Sequence, residues 1–153
     1  MALKAGDQAP SFKLIDTEKN EVSLEDYRGK NLVVLFFPLA FTGVCTTELC
    51  TIRDDIQSYN DLGTDVVAIS VDSFATLGKF KEEQNLNFPL LSDFNKEVSS
   101  QYGAIYDEFV FGMKGVSKRS AFVVGPDGTL KYAEVLESAG DLPNFDGIKG
   151  ALA

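Results

Sequence analysis

Two apolar runs constrain the fold more than any other feature of the chain. Leu32–Phe37 is uniformly apolar, and Val66–Val71 is interrupted only by Ser70. A strand with one wet face alternates apolar and polar residues, so unbroken runs belong to strands covered on both faces of a sheet. Pro38 ends the first run, because proline has no N–H to give to a ladder. A helix is expected from about Val44 to Tyr59 with Gly63 as its stop, and Asp72 or Ser73 can cap a second helix reaching about Gln84. Phe12–Leu14 and Val22–Leu24 flank the polar turn Thr17–Asn20 and read as a hairpin. Phe88–Leu91 reads as a short strand, and Asn95–Tyr102 as a helix ending at Gly103. Ala121–Val124 and Thr129–Val135 flank Gly125-Pro126-Asp127-Gly128, a hairpin signal. Asp107–Lys118 has no clear period and is read as loop. A terminal helix over Phe145–Leu152 is weakened by Gly147 and Gly150. This order predicts an α/β protein with a central mixed sheet, helices on both faces and an N-terminal β-hairpin. With 153 residues and no internal repeat or dividing linker, residues 1–153 read as one domain.

Composition narrows the function classes. The chain carries 14 basic and 23 acidic side chains, a formal charge of −9. Lys114, Lys118 and Arg119 form the nearest approach to a basic patch, which argues against nucleic acid or an anionic membrane as partner. Met1–Pro10 lacks the apolar run of a signal peptide, and Leu32–Phe37 is too short to span a bilayer. A cytoplasmic location is expected, where thiols stay reduced and paired cysteines point to catalysis. Histidine is absent, which removes Ser-His-Asp and Cys-His pairs and every His-ligated metal or haem site. Two cysteines alone do not complete a structural zinc site. An activated thiol here must depend on backbone dipoles, a hydroxyl or a cation.

Both cysteines lie in FFPLAFTGVCTTELC, Phe36–Cys50, just after the first buried strand and at the expected start of a helix. A helix N-terminus favours the thiolate over the thiol. The pattern of Pro38, Thr42 and Cys45, with Glu48 three residues on, resembles the active-site signature of the peroxiredoxins, which are thiol-based peroxidases. The resemblance implies a thioredoxin-like fold, in keeping with the element order over nearly the whole chain. FFPLAFTGVC and FPLLSDF (Phe88–Phe94) are similar to the alkyl hydroperoxide reductase E subgroup. Cys50, five residues after Cys45, is similar instead to the peroxiredoxin Q (bacterioferritin comigratory protein) subgroup, and the sequence leaves both open. The resemblance implies a hydroperoxide substrate, a thioredoxin- or glutaredoxin-like reductant, no metal, haem or flavin cofactor, and pairing into a homodimer through loops near the site.

Cys45 is the expected nucleophile; its blander reading is an inert core thiol. Ionisation alone does not give speed. For any thiol, lowering a pKa from about 8.5 to about 6 raises the thiolate fraction at neutral pH about 30-fold. The accompanying loss of nucleophilicity is about 13-fold, so about two-fold remains. The rest must come from donors that stabilise the departing oxygen. The Thr42 hydroxyl, N–H groups around Val44 and Cys45, and an arginine can supply them, with Pro38 shielding the sulfur. The resemblance assigns the arginine to Arg119, at the start of SAFVV; Arg53 is the competitor, and Asp54 or Asp55 could equally hold it at the surface. Glu48 is expected to orient an arginine or to cap a loop hydrogen bond.

Cys50 is the candidate resolving thiol. In a helix from Val44, Leu49, Ile52 and Ile56 share a face with Cys45, while Cys50 points about 100° from Leu49, among Thr46, Arg53 and Gln57. Cα atoms five apart on an intact helix are about 8.6 Å from each other. A disulfide needs less than about 7 Å, so joining the thiols requires unwinding. Alternatives remain: a one-cysteine enzyme with Cys50 a bystander, a non-enzymatic redox sensor, or a general thiol–disulfide oxidoreductase, which the missing Cys-x-x-Cys disfavours. Phe109, Val110, Phe111 and Met113 in the central loop could equally line a substrate mouth, form a dimer contact or pack in the core.

Overall fold

The computed structural model describes residues 2–152. Seven strands form one sheet in the order β2-β1-β5-β4-β3-β6-β7. The strands are β1 (Lys13–Asp16), β2 (Glu21–Ser23), β3 (Asn31–Phe36), β4 (Thr64–Ser70), β5 (Leu90–Ser92), β6 (Ser120–Val124) and β7 (Leu130–Val135). The helices are α1 (Gly43–Asp54), α2 (Ile56–Asp61), α3 (Phe74–Gln84), α4 (Glu97–Gln101) and α5 (Phe145–Leu152). The sheet is mixed: β3, β4 and β5 run parallel, whereas β6 lies antiparallel to β3 and continues into the β6–β7 hairpin.

The unbroken apolar character of β3 has the cause expected of it. Val33 and Leu35 face a cluster with Leu49 and Ile52 of α1, Tyr59 of α2, Leu77 and Phe80 of α3, and Ile148 and Leu152 of α5. Leu32, Val34 and Phe36 face the opposite cluster, built from Phe12, Leu24, Tyr102, Phe122 and Leu130. Each such buried side chain contributes about 1.5–3 kcal/mol. Covering β3 on both faces therefore pins the strand whose C-terminal end leads into Pro38 and Cys45.

Several boundaries differ from expectation for local reasons. The helix expected over Val44–Tyr59 is two helices, because Asp55 leaves helical geometry (φ −112°, ψ 13°). Its carboxylate accepts the Ser58 hydroxyl at 2.7 Å and pairs with Lys149 of α5, a side-chain alternative to continuing the helix. Ser73 rather than Asp72 caps α3, accepting the Thr76 N–H at 3.1 Å. The helix expected over Asn95–Tyr102 shortens to α4, whose first turn is held by Asp93, which accepts from Val98 N–H and Ser99 N–H at 3.1 and 2.6 Å. Core packing is overturned for Val110, Phe111 and Met113 of the central loop, while Phe109 is half-buried against the Tyr106 ring at 5.0 Å. Phe111 is 98% exposed at the single turn Val110–Gly112, and Val110 and Met113 are exposed as well. Among the described residues, no helix is long and apolar enough to cross a membrane.

Candidate active site

The chain leaves β3 through Phe37, whose N–H extends the pairing to Ile69 O at 3.0 Å, and then meets the buried Pro38. Phe41 adopts a left-handed φ of +64°, which turns the backbone sharply before Thr42. Thr42 stands at the N-cap of α1 in extended geometry, and its carbonyl accepts the Thr46 N–H at 2.9 Å as the first helical bond. The N–H groups of Gly43, Val44 and Cys45 thus fall in the turn whose donors a helix cannot satisfy internally. A thiol carried in that turn lies in the region of partial positive charge at the helix start.

Cys45 is 1% exposed and carries a free thiol. Arg119, the residue before β6, reaches it: Nη1 lies 3.3 Å from Cys45 Sγ and donates to Glu48 Oε1 at 2.6 Å. The other arm, Nη2, donates to the Ala139 carbonyl at 2.8 Å. The Arg119 carbonyl accepts the Leu136 N–H at 2.9 Å, so the arginine is anchored through its backbone as well as its fork. Arg119 and Glu48 are both essentially buried, at 1% and 0% exposure. Burial pushes the Glu48 carboxyl up to about 7 against the opposing pull of Arg119. Burial works against the Arg119 charge, but Glu48 and Cys45 outweigh it and hold the guanidinium above its usual range. Among the described residues, Glu48 Oε2 and Arg119 Nε have no protein partner.

The structure thus brings Cys45, Glu48 and Arg119 into contact, with Pro38 and Thr42 on the loop that leads directly into the same helix start. It separates Arg53 from the group: that side chain donates to Asp54 Oδ1 at 2.9 Å and to the Gln84 carbonyl at 2.6 Å. Thr42 differs in one detail from the donor expected. Its hydroxyl proton goes to the Leu39 carbonyl at 2.7 Å, which leaves the oxygen as an acceptor. The surroundings of Cys50 also differ. The residue is half-buried at the margin of the α1 core face, and its Sγ donates to Gln84 Oε1 at 3.5 Å. Residues 43–54 are helical, so both thiols are free with an intact helix between them. The carbonyls of Leu39 and Ala139 belong to the site although no sequence signal marks them. A carbonyl is common to every residue, and only the folded backbone aims it.

With this geometry in view, the sequence matches the AhpC/TSA family over residues 5–133. The chain belongs to that family. It is a peroxiredoxin, a thiol peroxidase with the thioredoxin-like fold. A Mycobacterium tuberculosis protein bearing a peroxiredoxin name is 42% identical over 134 residues, covering 86% of this chain and 85% of its own length. Peroxiredoxin Bcp of Escherichia coli K12 is 37% identical over 132 residues, covering 85% and 84% of the two chains. The crystal structure of peroxidoxin BcpB from Mycobacterium tuberculosis superposes with a TM-score of 0.87 at 28% identity, covering 98% of this chain and 96% of that one.

Proposed function

We propose that Cys45 is the sulfur that attacks hydrogen peroxide and small organic hydroperoxides, on a single thioredoxin-fold domain. The observation that carries this reading is the contact of Arg119 Nη1 with Cys45 Sγ at 3.3 Å, at the first turn of α1. The thiolate attacks the terminal oxygen of the hydroperoxide. An S–O bond forms, the O–O bond breaks, and the departing oxygen takes a proton to leave as water or alcohol, with Cys45 as the sulfenic acid. Thr42 Oγ1 accepts the O–H of the incoming hydroperoxide, since its own proton is engaged by Leu39. Arg119 and the first-turn N–H groups stabilise the charge that grows on the leaving oxygen, and Glu48 holds the guanidinium in place. Pro38 keeps bulk water from the sulfur.

Cys50 resolves the intermediate in this reading. Its thiolate attacks the sulfenic sulfur, the S–S bond forms as the S–O bond breaks, and the departing hydroxide takes up the proton released by the Cys50 thiol and leaves as water. The intact α1 must open first, and its composition favours opening. Thr46, Thr47 and Thr51 each donate a hydroxyl to the carbonyl four residues back, contacts that weaken a helix. A strained, exposed disulfide of this kind suits reduction by a thioredoxin- or glutaredoxin-like dithiol, in a cytoplasmic setting where both thiols start reduced. The test is mass spectrometry after one equivalent of peroxide. The native chain is expected to lose about 2 Da as a disulfide, while Cys50→Ser gains about 16 Da as a dimedone-reactive sulfenic acid. Cys45→Ser is expected to do neither. Peroxide consumption by Cys45→Ser at the native rate would overturn the assignment. Unchanged turnover of Cys50→Ser with a dithiol donor would make the enzyme a one-cysteine type.

A further inference from the structure

Asp72 lies outside the group around Cys45, on the turn between β4 and α3, and the cap of α3 does not use it. Its carboxylate is turned toward the loop that precedes α1. One oxygen, Oδ2, accepts the Ala40 N–H at 2.8 Å and the Ser70 hydroxyl at 2.6 Å. The Asp72 N–H donates to Ser70 Oγ at 3.2 Å, and the Asp72 carbonyl accepts the Ser92 hydroxyl at 2.6 Å. The aspartate is thereby fixed to β4 and β5 on one side while it grips a single backbone amide of the β3–α1 loop on the other.

That amide sits at a strained point. The next residue, Phe41, is held at φ +64°, a region that side chains beyond glycine rarely occupy. Such a conformation persists only when the surroundings hold it from both sides. Phe41 packs its ring on Phe80 at 5.1 Å between centroids, and the backbone before it is held by Asp72. The turn so enforced aims the Leu39 carbonyl at the Thr42 hydroxyl and starts α1 at the Thr42 carbonyl.

We propose that Asp72 is a positioning residue for the peroxidase reaction: by holding the Ala40 amide it fixes the Pro38–Thr42 turn, and with it the placement of the Thr42 hydroxyl at the start of the helix that carries Cys45. The inference rests on Cys45 as the reacting sulfur. Because both bonds fall on one carboxylate oxygen, an amide oxygen in the same place can replace them. Misplacing a group beside the reacting atoms by about 1 Å lowers the rate about 100-fold.

The experiment compares Asp72→Ala with Asp72→Asn by stopped-flow reaction with hydrogen peroxide, alongside alkylation of Cys45 by iodoacetamide. Asp72→Ala is expected to slow the peroxide reaction about 100-fold while alkylation changes less than about 3-fold, and Asp72→Asn is expected to restore the peroxide rate to within about 5-fold. A merely structural loss would change the alkylation of the buried Cys45 by more than about 3-fold in either direction and would not be rescued, which overturns the proposal. So does an Asp72→Ala protein that reacts with peroxide at the native rate. If Asp72→Ala does not fold, Ser70→Ala decides: it keeps the carboxylate but removes its orienting hydroxyl. A loss of about 5-fold or more in the peroxide rate supports the proposal, and a smaller change overturns it. Failure of the underlying reading is a separate result, a native protein whose peroxide reaction survives Cys45→Ser.

Discussion

Replacing Glu48 by glutamine tests the electrostatics of the site in a quantity that can be worked out beforehand. Burial raises the Glu48 carboxyl from its usual 4.5 to about 7 in the folded protein, whereas the unfolded chain retains the ordinary value. Between those two pH values the folded state binds the extra proton, so stability falls as pH rises. The contribution is fully present below about pH 4.5 and is lost by the time pH passes about 7. At about 1.36 kcal/mol per pKa unit, the difference amounts to about 3 kcal/mol. Because Glu48 is 0% exposed, solvent screening does little to reduce that figure. Glutamine keeps the volume and the oxygen that meets Arg119 but has no proton to lose. Urea unfolding of the reduced proteins, followed by far-UV circular dichroism at intervals from pH 4.5 to 8, gives both stability curves. Groups remote from the site are common to the two proteins, so the difference reports Glu48 together with the Arg119 it contacts. Glu48→Gln is expected to gain about 3 kcal/mol on the native chain across that range. Two curves that stay parallel to within about 1 kcal/mol would refute the account of a carboxyl lifted by burial.

Arg119→Ala is expected to lower the second-order rate constant with hydrogen peroxide about 10²–10³-fold in stopped-flow assays, since it removes the donor beside the sulfur. A loss under ten-fold would show that the helix N-terminus carries the charge stabilisation without the guanidinium. Thr42→Val is expected to slow the same reaction about 10–100-fold and Thr42→Ser to stay within a few-fold, because the acceptor oxygen is what the substrate meets. Equal rates for serine and valine would remove Thr42 from the reaction. Oxidation by one equivalent of peroxide is expected to lower helical content and to accelerate amide exchange across Thr42–Arg53. Identical exchange in the reduced and oxidised forms would exclude a disulfide between Cys45 and Cys50 on this helix.

The fold was legible where periodicity is strong. The apolar runs of β3 and β4 announce a sheet covered on both faces, and Gly125-Pro126-Asp127-Gly128 announces the β6–β7 hairpin, because local turn chemistry and burial act through neighbouring residues. Boundaries were less legible where a side chain from elsewhere intervenes. Asp55 breaks the long helix with Ser58 and Lys149 as partners, and Lys149 lies on α5, far along the chain. The central loop was legible as loop, but not the placement of its apolar residues: the turn at Phe111 carries that ring outward to 98% exposure, which core packing does not allow.

For the site, the residues between Pro38 and Cys50 could be read together because they are close in sequence and the helix start sets their mutual placement. Spacing could not choose between Arg53 and Arg119. Arg119 is 74 residues from Cys45 in sequence, and only the antiparallel pairing of β6 with β3 brings it to the sulfur. Sequence alone determined a thiol at a helix N-terminus on a buried sheet, since both features arise from local pattern and burial. Tertiary structure decided which cation meets that thiol, which carboxyl is stripped of water beside it, and which carbonyls hold the group in place. Those are properties of distance through space, and they exist only once strands remote in the chain lie side by side.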